Sequence, residues 1–212
     1  MLFLKSFCFN AFQENTYVVY TDEKSAFVID PGNSEPHEDK ILKDFIAEKN
    51  LKVERLLLTH GHIDHILGNA FVHEEYGLTA EVHQADLFFL ERLPQTAAMY
   101  GVEARQFPMP KSFLKENGVV ELGKYKFECI FTPGHSPGSL CFFNKETKLL
   151  IGGDVLFLDS IGRTDLPLGD HATLISSIKD KLFPLGDDIK VYPGHGPSTT
   201  IGHERQNNPF LT

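Results

Sequence analysis

The chain has 212 residues, 42% of them hydrophobic and 23% charged, which is enough apolar material for one sizeable core and too much for a disordered or fibrous protein. Lys and Arg number 20 against 29 Asp and Glu, a net charge of −9 that repels nucleic-acid phosphates and anionic lipid, so neither is an expected partner. Ten histidines are the unusual feature, since imidazole is both a common metal ligand and a proton carrier near neutral pH.

In chain order, the apolar segment Met1 to Phe12 contains Lys5 and lacks a basic leader and a small-residue cleavage site, so a first strand is expected instead of a signal peptide. Short apolar runs at Tyr17–Tyr20, Ala26–Ile29, Val53–Leu58, Phe127–Phe131, Leu140–Phe143, Leu149–Ile151 and Lys190–Tyr192 predict strands. Helical spacing predicts Glu38–Lys49, with Ile41, Leu42, Phe45 and Ile46 on one face, and Ala172–Phe183. Asp64–Tyr76 and Gln84–Tyr100 are further helices, the second interrupted near Pro94, and Gln106–Pro110 is a connection. The class is mixed α/β, with a hint of two similar halves, one ending near Leu114 and one starting at Val119. No apolar run reaches the ~20 residues of a membrane span. Cys8, Cys129 and Cys141 suit neither a disulfide framework nor a thiolate metal site, which points to a reducing, cytoplasmic compartment.

Five apolar strands end on ligand-type residues, in AFVIDPG, ERLLLTHGHIDH, FECIFTPGH, KLLIGGD and KVYPGH. Strand ends next to Gly and Pro hold side chains on loops fixed by a scaffold, so these ends are expected to converge. His60 and His62 alternate along an extended segment and aim the same way, while Asp64 and His65 follow on the turn into a helix. Imidazole and carboxylate ligands in this density suit two metal ions, zinc first, with iron or manganese as alternatives. A His-rich surface loop is the competing reading. His37, His73, His83, His171 and His203 match no ligand position and are expected at the surface.

The T-H-G-H-I-D-H run after a buried strand, with P-G-H-S-P-G at 133–138, G-G-D at 152–154 and P-G-H-G at 193–196, resembles the signature of the metallo-β-lactamase superfamily. That resemblance implies a single-domain, four-layer αββα sandwich over 1–212. It also implies that His60, His62 and His135 hold one ion, that Asp64, His65 and His195 hold the other, and that Asp154 bridges both; Asp64 and Asp154 are then the catalytic carboxylates. The fragment G-H-S-P-G also fits the serine nucleophile elbow, but Pro137 and the strand-like SLCFFN that follow exclude the required helix. N-T-Y at 15–17, S-I-G-R-T-D-L-P at 160–167 and G-H-E-R-Q-N-N-P-F at 202–210 narrow the resemblance to glyoxalase II-like hydrolases. These cleave S-acyl thiols such as S-lactoylglutathione, here by attack of a metal-bridging hydroxide. Only 17 residues follow His195, so no separate C-terminal helical glutathione-binding domain is expected, as in a short bacterial-type branch. The expected partner is a small anionic thioester. The alternatives are an iron-dependent persulfide dioxygenase on the same scaffold, a metal-binding module without activity and, further back, a lactonase or β-lactamase. Arg163 is a substrate-anchor candidate unless it merely pairs with Asp165. Asp30 is a candidate for orienting a histidine ligand unless it only caps a turn. Phe107, Met109 and Phe113 can line a substrate cleft, with core packing the plainer reading.

Overall fold

The computed structural model describes all residues, 1–212. Its first half runs β1 (Leu2–Phe9), β2 (Glu14–Thr21), β3 (Ser25–Ile29), α1 (Pro36–Glu48), β4 (Lys52–Leu57), α2 (Ile63–Ile66), α3 (Asn69–Tyr76), β5 (Ala80–His83), α4 (Leu87–Glu91), α5 (Leu93–Tyr100) and β6 (Phe113–Leu114). The second half runs β7 (Val119–Leu122), β8 (Tyr125–Phe131), β9 (Leu140–Asn144), β10 (Leu149–Gly153), β11 (Leu156–Phe157), β12 (Ser160–Ile161), α6 (His171–Ser176), β13 (Lys190–Pro193), β14 (Thr199–Thr200) and α7 (Ile201–Asn207). The first six strands form one sheet in sequential order, antiparallel at its β1–β2–β3 edge and parallel from β3 to β6. The second sheet has the order β14-β13-β10-β9-β8-β7. The boundary between sheets falls between Leu114 and Val119, where the repeated strand grammar divides the sequence.

Strand periodicity explains the layering. In β2, Tyr17 and Val19 enter the cluster between the sheets while Val18 enters the cluster under the first helical layer. In β3, Phe27 and Ile29 face inward and Ala26 and Val28 outward. In β9, Leu140 and Phe142 face the first sheet while Cys141 and Phe143 pack with Leu174, Ile178 and Leu182 beyond the second. Consecutive apolar residues therefore bury both faces of these three strands, whereas β7 and β8 alternate buried and exposed positions. The result is helices, sheet, sheet, helices, the αββα sandwich.

The helices depart from their expected limits for local reasons. In α1, Leu42 and Ile46 are buried but Ile41 is exposed, so the buried stripe is narrower than expected. The Asp64–Tyr76 segment breaks at Gly68, whose N–H donates to the Pro31 carbonyl (2.7 Å) and whose missing side chain leaves room for Asn33. The Gln84–Tyr100 segment breaks at Arg92, placing Pro94 in the first turn of α5, where no amide donor is required. Helix α6 widens into a π-helical turn at Ser177–Leu182. Phe107 and Phe113 pack against the first core cluster, which decides for the packing reading, and Met109 is partly exposed. No helix is long and apolar enough to cross a membrane.

Candidate metal centre

The ends of β3, β4, β8, β10 and β13 meet at one edge of the sandwich. His60 and His62 follow β4, with rings 4.7 Å apart, and Asp64 and His65 lie in α2, the short helix that His62 begins. His135 follows β8, Asp154 follows β10 and His195 follows β13. The expected ligands fall in two groups, His60 with His62 and His135, and Asp64 with His65 and His195, each with its donor atoms within 4.8 Å of one another, and Asp30 forms a third such group with His60 and His65. Asp154 stands between the first two, with Oδ2 3.5 Å from Nε2 of both His135 and His195 and Oδ1 3.4 Å from His65 Nε2. Every metal position expected from the sequence is in this cluster. The five remaining histidines lie outside it and none is buried.

The donor atoms fit cations better than they fit each other. His135 Nε2 lies 2.8 Å from His62 Nδ1 and 3.2 Å from His60 Nε2, so three ring nitrogens face one point. Donors ~2.1 Å from a tetrahedral ion stand about 3.4 Å apart. His62 Nε2, His65 Nε2 and Asp154 Oδ1 are buried without any hydrogen-bond partner, a costly condition that a bound ion removes for the donors that face it. The electrostatics divide the two groups. Burial, reinforced by the neighbouring imidazoles, lowers His60 well below the ordinary histidine value and takes His62 down to about 3. Burial also pulls His65 and His195 down, but at His65 the Asp154 and Asp64 charges outweigh it, and at His195 Asp64 and Asp154 do. Both therefore lie above the ordinary value. Burial pushes the Asp154 carboxyl up, yet His65, His135 and His195 hold it well below the carboxylate range.

A surrounding ring of hydrogen bonds fixes these side chains. Asp30, in the left-handed region at φ +49°, accepts from Thr59 N (2.7 Å) and Thr59 Oγ1 (2.6 Å) and lies 3.1 Å from His65 Nδ1. Thr59 Oγ1 is in turn 3.0 Å from His60 Nδ1. His135 Nδ1 is 2.8 Å from the Arg163 carbonyl, while the Arg163 guanidinium makes two 2.7 Å contacts to Asp165. Of the two readings of Arg163, the side chain adopts the ion pair. The Asn-Thr-Tyr motif clamps the His195 loop: Asn15 Nδ2 donates to the carbonyls of Pro193 and Gly196, and Tyr17 Oη to that of Pro193. Gly194 is obligatory there, since a Cβ would lie 2.1 Å from Asp154 Oδ1.

Asp86 is the residue that sequence reasoning missed. It is fully buried, and its carboxylate accepts from Gly61 N (2.7 Å), Ser136 Oγ (2.8 Å) and Gly138 N (2.6 Å), tying the His60–His62 loop to the His135 loop. Nothing in the sequence marked it, because the strand it follows, β5, is too short to be read there; the Ser136 of the serine-elbow fragment is one of its donors. Over the centre opens a cleft of about 640 Å³, with Phe12, Phe88, Phe89, Met99 and Tyr100 among its walls.

The Metallo-beta-lactamase superfamily model matches residues 9–197. Hydroxyacylglutathione hydrolase GloC of Haemophilus influenzae is 42% identical over 95% of this chain and 94% of its own. Among solved structures, the BLEG-1 B3 metallo-beta-lactamase superposes with a TM-score of 0.91 at 35% identity, covering 99% of this chain and 100% of its own. TTHA1623 in a di-iron-bound form superposes with a TM-score of 0.86 at 37% identity, with the same coverage. With the αββα layers, the ordered ligand motifs and these relatives in agreement, the chain belongs to the metallo-β-lactamase superfamily, as one of its metal-dependent hydrolases.

Proposed function

We propose that this chain hydrolyses a small anionic thioester, an S-acyl thiol such as S-lactoylglutathione, with two divalent ions held by His60, His62 and His135 and by Asp64, His65 and His195. The observation that carries the reading is Asp154 Oδ2, equidistant from one histidine of each group. Zinc suits the nitrogen-rich donor set, and iron is the alternative that the di-iron form of TTHA1623 supports. When bound, such ions lower the pKa of water from about 15.7 to near 7 and polarise a carbonyl.

The chain's own residues supply the rest. Asp64 and Asp154 are the two carboxylates of the site and offset the charge that two divalent ions concentrate there. The backbone carbonyls of Arg163 and Gln13, at His135 Nδ1 (2.8 Å) and His195 Nδ1 (3.1 Å), set the tautomers that aim Nε2 into the site. The aromatic walls give an acyl chain an apolar surface to lie against. The cleft carries no carboxylic acid besides Asp64 and Asp154, so a leaving group that departs as an anion without a proton, such as a thiolate, suits it better than an alkoxide or amine. The name of the Haemophilus influenzae relative points to the same class. A reducing compartment such as the cytoplasm accords with three free cysteines and a thiol product.

The test is a panel of S-acyl thiols presented to protein reconstituted with zinc, iron or manganese, alongside the His62→Ala variant. Metal-dependent thiol release that disappears in the variant is expected. No cleavage of any member in any metal form refutes the substrate class. One iron per chain with oxygen uptake on glutathione persulfide would instead establish the dioxygenase alternative, and turnover of a cephalosporin in preference to every thioester the lactamase one.

A further inference from the structure

The cleft contains two arginines in different electrostatic situations. Arg163 pairs with Asp165 through two contacts at the surface. The Arg92 guanidinium instead lies over the ring of Phe88, 4.3 Å from its centroid. Its position follows from the chain break that Pro94 imposes: Arg92 is the joint between α4 and α5, both of which line the cleft. An aromatic path links it to the centre. Phe88 contacts Phe89 edge-on at 5.4 Å, and Phe89 contacts the His62 ring at 4.7 Å. Phe12 and Tyr100 form another edge-on pair in the wall, at 5.5 Å.

A guanidinium resting on a ring keeps its planar fork open at the edge, and the ring limits the orientations that must be lost when an anion binds. A carboxylate matches that fork with two parallel hydrogen bonds. Apolar walls between fork and centre favour an apolar connecting body over a polar one. On a chain of net charge −9, an arginine without a carboxylate partner in the cleft is also a local attractor for anions that the surface as a whole repels.

We propose that Arg92 is the anion anchor of the substrate site, and that the preferred thioester carries a carboxylate separated from its reacting carbonyl by a short apolar body lying along Phe88 and Phe89. This deepens the thioesterase reading and rests on it for the identity of the reacting group. The test compares two thioesters of equal length, one ending in a carboxylate and one in its primary amide, on wild type, Arg92→Gln and Arg92→Lys. Wild type is expected to favour the carboxylate by ~10- to 100-fold in kcat/KM, carried mainly by KM. Arg92→Gln is expected to abolish that preference, chiefly by raising KM for the carboxylate substrate, and Arg92→Lys to keep part of it. Calorimetry with the corresponding uncleavable thioethers is expected to give the same preference in Kd, also lost in Arg92→Gln. If Arg92→Gln lowers both substrates alike, or neither, the anchor is overturned although the thioesterase reading stands. If wild type cleaves neither thioester but binds the carboxylate thioether through Arg92, the anchor stands and the thioesterase reading falls.

Discussion

Replacing Asp86 by asparagine separates positioning from coordination, because Asp86 touches no expected ligand atom yet holds both loops of the three-histidine group. Its carboxylate accepts from the amides of Gly61 and Gly138 on opposite oxygens, and from Ser136. An asparagine of the same shape keeps one acceptor oxygen and turns an NH2 toward the other donors. The Ser136 hydroxyl can rotate to accept from it; a backbone N–H cannot. One buried amide is therefore left unpaired, at a cost of ~1 to 3 kcal/mol. For a domain of this size that lowers Tm by roughly 2 to 12 °C. Asp86→Ala orphans both amides, about 2 to 6 kcal/mol, which approaches the whole stability of a typical domain, so asparagine is the informative change. Because the lost bonds join the His60–His62 and His135 loops, affinity for the ion of that group is expected to fall ~10- to 100-fold while the Asp64, His65 and His195 group keeps its own. Thermal unfolding and metal titration by calorimetry measure the two effects. An Asp86→Asn protein with wild-type Tm and two unchanged affinities would refute the reasoning, and so would equal weakening of both groups.

Acidification from pH 7 to 5 is expected to empty the Asp64, His65 and His195 group first. His65 and His195 have raised pKa values, so below them an ion must displace a proton from each, and affinity falls as pH falls; His60 and His62 stay neutral through this range and retain theirs. Metal content after equilibrium dialysis should fall from two toward one, and simultaneous loss of both would contradict the assignment. In Gly194→Ala, the added Cβ would sit 2.1 Å from Asp154 Oδ1 and 2.6 Å from His65 Cε1, forcing the carboxylate away. A folded protein by circular dichroism with reduced metal content and at least tenfold lower activity is expected, and wild-type metal content would refute the crowding. Burial pushes the Cys129 thiol up to about 11 and Cys141 to about 12, whereas Cys8 is exposed. A thiol reagent should titrate one cysteine rapidly in the native protein and three after denaturation.

Most of the candidate ligands were legible in the sequence because they stand where an apolar strand meets Gly or Pro, with Asp64 and His65 following on the turn into α2. The two-sheet division was hinted at as well, since apolar strands that close on ligand-type residues recur on both sides of the break between Leu114 and Val119. The short strands β5, β6, β11, β12 and β14 were not, because two to four residues carry no measurable periodicity and are made strands only by the neighbours they pair with. Asp30 and Arg163 each had two open readings, and the contacts that bear on them are long-range or conformational: Asp30 lies 3.1 Å from His65 Nδ1, and Arg163 pairs with Asp165 at the surface. The sequence by itself determined which histidines and aspartates close the apolar strands and in what order, because residue identity and spacing are one-dimensional properties. Only the tertiary structure could assign Asp86 and Tyr17, whose partners lie 50 and 176 residues away. Their roles depend on which loops the folded sandwich brings within hydrogen-bond distance.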